Sequence, residues 1–441
     1  MRALSQTSAG HNKQLVRGIG IFGSAFLVLN GMIGAGIFAL PSVVAARAGV
    51  LSPWLFLAVG ILILTVVLTF AELSSYFRIS GGPVVYATRA FGPLTGFSTG
   101  WIYYVSRAAA LAANSNAMAI YIGALWPWFG VDPGRAVVIV GICGGLTLVN
   151  VLGVKDSVRT LAFFTFFKVI PLLVMILLGL QYVSPEVLFP ENMPTIDDLG
   201  GTTLLLIYAF VGFETVLITA GETAKPKITI PKALILTVIA TGVLYFLIVL
   251  VYVSVLPGEA GEGATLIDVG RRLAGPVGAI AITLTAIFSI GGNLSSIMLA
   301  VPRLTFSLAE HRLLPPWFGH VHDKYSSPAN SIIFLGGLAT VLALSGSFVR
   351  LAMASSLTRL ITYIVCIAAL PVIKGQADTA TLARAFRIKG GYTIPFIALC
   401  LCLWMASHSS PDSWKLVGGL LAAGLVLFWL EQMRIRKQQA A

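Results

Sequence analysis

The chain has 441 residues, of which 57% are hydrophobic and only 10% charged, with a mean hydropathy of +0.92 and a net charge of +12. This composition excludes a soluble globular domain, and with it the nucleic-acid partner that a basic total would otherwise suggest. Repeated apolar runs of about 20 residues mark a polytopic helical membrane protein.

Residues 1–18 are polar, carry Arg2, Lys13 and Arg17, and lack a short apolar stretch with a small-residue cleavage site. The expectation is a cytoplasmic tail and no removable signal peptide. Twelve apolar runs follow, at about 19–42, 51–77, 93–125, 135–153, 158–182, 201–220, 231–256, 276–308, 329–346, 349–373, 391–407 and 413–431. Connections are short, so 19–432 reads as one all-α transmembrane domain, with a second tail at 433–441. With the N-terminus inside, twenty Lys and Arg fall on the cytoplasmic side. Six fall outside: Arg47, Arg135, Arg271, Arg272, Arg350 and Lys415. That bias places both termini in the cytoplasm. The outer loops carry acids instead, including Glu186, Glu191, Asp197, Asp198, Glu259 and Glu262.

The first run holds Asn30-Gly31-Met32-Ile33-Gly34-Ala35-Gly36-Ile37-Phe38. Each glycine in a helix interior costs roughly 1 kcal/mol relative to alanine. Unwound backbone at membrane depth is tolerated only where it is buried in protein or lines a polar cavity. A broken helix that binds something with its main chain is therefore expected over Ile33, Gly34, Ala35, Gly36 and Ile37. The alternative is that the glycines merely allow close helix packing. Gly31, Gly34 and Gly36 are three and then two residues apart, which one packing face explains poorly.

Further along, five charges stand inside apolar runs, where charges are expensive and default to function. They are Glu72, Arg107, Lys168, Glu214 and Arg359. Glu72 is expected to tie the second run into the bundle. Arg107 lies near the midplane of the third, where it either pairs with Glu214 or Glu72 or binds a substrate carboxylate. Lys168 is too deep to snorkel, and a buried amine can gain or lose a proton near neutral pH. Glu214 follows Phe210-Val211-Gly212-Phe213, so the sixth run has its own break, and a carboxylate there can cap freed N–H groups. Arg359 is open to pairing with Glu72 or to gating the outer path.

Corresponding breaks in runs 1 and 6 are what an inverted five-plus-five repeat predicts, with runs 11 and 12 outside it. Each break exposes N–H groups on one side and carbonyls on the other. The first can accept a carboxylate and the second an ammonium, which suits a zwitterionic amino acid. The four cysteines, Cys143, Cys366, Cys400 and Cys402, are expected to be packing residues. The five histidines show no catalytic or metal spacing, and the three near Asp323 (His311, His320, His322) read as cytoplasmic surface. A multipass enzyme or a channel is thus disfavoured, and neither metal nor cofactor is called for.

Taken together, several motifs resemble the amino acid–polyamine–organocation (APC) transporters, from about residue 17 to 375. They are Gly34-Ala35-Gly36-Ile37-Phe38, Ala71-Glu72-Leu73-Ser74-Ser75, Ser80-Gly81-Gly82-Pro83, Asn150-Val151-Leu152-Gly153, Phe210-Val211-Gly212-Phe213-Glu214, Glu222 with Lys225-Pro226, and Pro302-Arg303. The resemblance implies the leucine-transporter-type fold with broken helices 1 and 6 and alternating-access transport of amino acids or amines. It also implies that Lys168, with Ser289 as neighbour, stands where sodium-coupled members hold a cation, and that Glu214 senses protons or faces a cationic substrate. Three intramembrane cations against two acids favour neutral amino acids over the alternative, a polyamine or cationic amino acid exchanger. An acidic substrate stays open if Arg107 is free. The expected partners are a small-molecule substrate and membrane lipid.

Overall fold

The computed structural model describes residues 20–77, 81–153, 158–189, 199–218, 220, 223–261, 263–388 and 390–440. The tail expected at 1–18 lies outside the described residues, as do Ser80, Glu191, Asp197, Asp198, Glu222 and Glu262. Lipid offers no hydrogen bonds, so each apolar run must satisfy its backbone internally, and each of the twelve carries helix.

The first run is split into α1 (Ile21–Met32) and α2 (Gly36–Ala48). There follow α3 (Ser52–Tyr76), a short α4 (Pro83–Phe91), the 33-residue α5 (Pro93–Leu125), α6 (Gly134–Val151), α7 (Val158–Gly179) and one turn, α8 (Pro185–Leu188). The sixth run is likewise split, into α9 (Leu199–Phe210) and α10 (Thr215–Ile218). Next come α11 (Pro226–Val255), α12 (Leu266–Ala300), α13 (Pro302–Glu310) and α14 (Ala329–Ser345). The chain ends with α15 (Phe348–Gln376), α16 (Thr379–Arg384), α17 (Thr393–Ser407) and α18 (Pro411–Ala440). Several starts are set by proline at the first or second helical position, where its missing N–H costs nothing. Eight helical stretches among the described residues are long and apolar enough to cross a membrane. Four shorter apolar helices accompany them, and two of these, Ile21–Met32 and Leu199–Phe210, are the first halves of the split runs.

Three boundaries differ from the sequence expectation. The eighth helix starts at Leu266, ten residues early, under a capping box of Thr265 and Asp268. It kinks at Ala274 and Gly275 (φ +61°), because Pro276 disfavours helical backbone before it. The seventh starts one turn early at Pro226. The last helix runs past its expected end at 431 and is helical through Ala440, with Glu431 and Arg434 paired at 2.9 Å one turn apart.

Packing is organised around α5, buried along most of its length, with α15 and α12 against it, while α11 runs along α3. At the edge, α6 and α18 have few buried residues, and their outward side chains, such as Leu148 and Trp429, are apolar. Cys143, Cys366 and Cys402 are buried as expected of packing residues. Cys400 is exposed, a correction that follows from the wide angle two positions subtend on a helix.

Candidate functional site

The two breaks meet backbone to backbone. Residues 33–35 separate α1 from α2, and 211–214 separate α9 from α10. A Cβ on Gly31 would stand 2.5 Å from the Gly212 carbonyl oxygen, and one on Gly212 only 2.2 Å from that of Gly31. Gly212 also has φ +114°, a region that disfavours other residues. Gly36 lies equally close to the α9 backbone, its Cβ position 2.8 Å from the Ala209 Cα, while Gly34 faces the Asn293 side chain at 3.1 Å. Close packing therefore explains Gly31 and Gly36 after all. The turn at 33–35 aims glycines of irregular spacing at two neighbours, which a straight-helix argument could not foresee.

Every carbonyl freed at the end of α1 has a donor. Asn293 Nδ2 donates to Asn30 O at 3.3 Å and Gly31 O at 3.0 Å. Tyr245 Oη lies 3.1 Å from both Met32 O and Ala209 O, so one hydroxyl bridges the two breaks. Lys168 Nζ donates to Ile33 O at 3.0 Å and to Asn30 Oδ1 at 2.5 Å, and Ser289 Oγ donates to Ile33 O at 3.1 Å. The ammonium thus sits at the negative end of α1, where a helix dipole favours a cation. Protein donors therefore already fill the carbonyls of the first break. The carbonyls of Phe210 and Val211 accept no hydrogen bond among the described residues. On the anionic side, the N–H groups of Ala35, Gly36 and Ile37 at the start of α2 likewise have no partner there.

Glu214 and Arg359, both fully buried, form an ion pair at 2.8 Å. The carboxylate also accepts from Tyr363 Oη at 2.5 Å and from the Gly212 N–H at 2.8 Å, so it caps the second break as well. Arg359 Nε donates to Ser106 Oγ at 2.8 Å, and the guanidinium stacks 4.6 Å from the Tyr103 ring. Arg359 therefore partners Glu214 and not Glu72. Glu72 instead accepts from Lys374 at 3.0 Å, the Ile388 N–H at 3.1 Å and Tyr76 at 3.1 Å, joining α3 to the end of α15 and the chain beyond it. Arg359 and Lys374 are about 22 Å apart along α15 at ~1.5 Å per residue, so only the latter reaches Glu72. Arg107 pairs with neither acid and has no hydrogen bond or ion pair among the described residues, since those carboxylates are already engaged.

Between the breaks lies a cavity of about 20 Å³, room for about one water. Gly31, Met32, Gly34, Ala35, Gly36 and Val211 line it with Arg107, Ala110, Asn114, Tyr208 and Asn293. Of the expected binding residues, Gly34, Ala35, Gly36 and Val211 border it. Ile33, Ile37, Phe210, Gly212 and Phe213 do not: Phe210 packs on Tyr245 and Phe213 on Phe70 and Tyr363. Lys168 and Ser289 are brought together at the Ile33 carbonyl. The sequence reading missed the polar chain from Tyr208 Oη to Asn114 Oδ1 (2.6 Å) and from Asn114 Nδ2 to Asn293 Oδ1 (2.8 Å), as well as Tyr245 and the Asn30 side chain. Extending the intramembrane rule from charges to amides would have found Asn30, Asn114 and Asn293. Tyr245→Phe should destabilise the purified protein by about 1–3 kcal/mol, read as a lower melting temperature, because the Ala209 carbonyl loses this donor and Met32 O keeps only the Gly34 N–H, while the packed volume falls by just one oxygen.

A family model described as "Amino acid permease" matches residues 19–418. The chain is 28% identical to the Serine/threonine exchanger SteT of Bacillus subtilis over 87% of its own length and 89% of that protein's. It is 25% identical to the Branched-chain amino acid permease BcaP of Bacillus subtilis (95% and 93% covered) and 24% identical to the Methylthioribose transporter of the same organism (95% and 94% covered).

Proposed function

The chain belongs to the amino acid permease family of membrane transporters, and on that basis we propose that it is a sodium-independent secondary transporter moving amino acids by alternating access, linked to protons or to antiport. The observation that carries this reading is the meeting of the two breaks, with the Lys168 ammonium seated on the carbonyls of Asn30's side chain and Ile33. A fixed or titrating amine there supplies the positive charge that a bound sodium ion would bring, so no metal is needed to neutralise the end of α1. In the full reading, residues 19–432 form one domain of twelve spans, an inverted five-plus-five repeat with broken helices 1 and 6 plus two further helices. It lies in the cell (inner) membrane with both termini cytoplasmic. The substrate carboxylate lies at the start of α2 and its ammonium at the Val211 carbonyl, which borders the cavity.

Neutral amino acids are preferred over cationic ones, because the charged side chain at the cavity is a guanidinium and like charges repel. Serine, threonine and branched-chain amino acids, named for two relatives, are the first to try. A polyamine or cationic exchanger is the alternative reading through Glu214, but that carboxylate is already engaged by Arg359, Tyr363 and the Gly212 N–H.

Reconstitution into vesicles and uptake of labelled amino acids test the proposal. Uptake is expected to persist with sodium replaced by choline and to fall at least about tenfold in Lys168→Ala, a loss of about 1.4 kcal/mol or more. Strict sodium dependence of the native protein would overturn the coupling reading. Failure to move any amino acid or amine would overturn the transporter reading.

A further inference from the structure

Arg107 is 5% exposed, and its Nε has no hydrogen-bond partner among the described residues. It is the one charged residue lining the cavity between the breaks, among the described residues. Its electrostatic neighbours are Tyr103, Tyr208, Arg359 and Glu214. The only acid of that group, Glu214, spends its oxygens on Arg359, Tyr363 and the Gly212 N–H. A second guanidinium beside an already neutralised pair leaves one positive charge uncompensated at membrane depth. Such charges are expensive unless something pairs with them.

The α-carboxylate of an amino acid has its own donors, the three unpartnered N–H groups at the start of α2. Arg107 comes from a different helix, α5, and enters the same cavity with Asn114 and Tyr208 beside it. Its planar fork matches a carboxylate geometrically, and it cannot shed its proton to escape the cost of burial.

We infer that Arg107 is a specificity-determining residue that receives a second carboxylate, so that the transported substrates include dicarboxylic amino acids. This rests on the proposed transport of amino acids and names a substrate class for the same cavity. A neutral zwitterion bound there leaves the excess positive charge in place, whereas aspartate or glutamate removes it.

Glutamate and glutamine, or aspartate and asparagine, are nearly equal in size and differ in charge, so paired measurements isolate Arg107. The experiment compares thermal stabilisation and competition for uptake by the four amino acids, using native protein, Arg107→Gln and Arg107→Lys. Glutamate and aspartate should bind the native protein and be taken up. The ratio of glutamate to glutamine affinity should fall at least tenfold in Arg107→Gln and stay within about threefold of native in Arg107→Lys, since a bidentate site is only partly served by an ammonium. Absence of glutamate and aspartate binding to the native protein would overturn the inference without any variant, which covers the case in which Arg107→Gln does not fold. An unchanged ratio in Arg107→Gln would overturn it too, because a purely structural arginine alters both ligands alike. Uptake of glutamine without glutamate sinks this inference alone; uptake of neither those four nor any other amino acid sinks the functional reading beneath it.

Discussion

Gly212→Ala should destabilise the protein by about 4 kcal/mol and abolish uptake. Two costs combine. Alanine at φ +114° is strained, and its Cβ would stand 2.2 Å from the Gly31 carbonyl oxygen and 2.5 Å from the carbonyl carbon. Neither neighbour is a side-chain tip that can swing away, so the two broken segments must separate. Separation also withdraws Ala209 O and Met32 O from the single Tyr245 hydroxyl between them. The control is Gly144→Ala in α6, where an added Cβ meets nothing within 4 Å. That change should be neutral or slightly stabilising, by up to about 1 kcal/mol from helix propensity. Melting temperatures of the two variants in detergent check the contrast. Equal behaviour would mean that the contact of the breaks is not what holds the site together.

Glu214→Gln has an expected effect of comparable size, a loss of about 3–5 kcal/mol, because it strands a buried guanidinium. The substitution keeps the shape and a carbonyl oxygen for the Gly212 N–H, so the loss reports charge rather than packing. Arg359 then has only Ser106 Oγ and the Tyr103 ring, with Arg107 adding like-charge repulsion. Removing both members of the pair should be milder than removing the acid alone. The double variant Glu214→Gln with Arg359→Met is expected to recover at least about 1.5 kcal/mol of the single loss, since a neutral pair of similar volume carries no uncompensated charge. Thermal unfolding of the four proteins in the cycle gives the coupling. An additive cycle would show that the 2.8 Å contact contributes nothing specific.

The positions of the two breaks are legible in the amino-acid sequence, because glycine and an acid inside an apolar run are anomalous against the lipid. Lys168 beside the first break is legible through resemblance, and its amine lies within 3.0 Å of Ile33 O. Charge pairing is not legible. Glu72, Glu214, Lys374, Arg359 and Arg107 offer several pairings of comparable plausibility. Their selection depends on which turns of α3, α5, α15 and the second break stand side by side. The amides escape notice for another reason: an uncharged Asn30, Asn114 or Asn293 barely disturbs a hydropathy profile, although each carries hydrogen bonds in the bundle.

Local pattern suffices to establish a membrane-spanning helical protein, where its helices run and where two of them fail, because those are direct consequences of burying a backbone in lipid. What each break does is settled by the packing of distant helices. Packing put Gly31 against Gly212, gave the α1 carbonyls to Lys168, Ser289, Tyr245 and Asn293, spent Glu214 on Arg359, and left Arg107 facing the cavity without a partner among the described residues. Those outcomes join residues more than a hundred positions apart. They escape the sequence because a hydrogen bond or ion pair is fixed by angstrom-scale approach between helices, which no local pattern encodes.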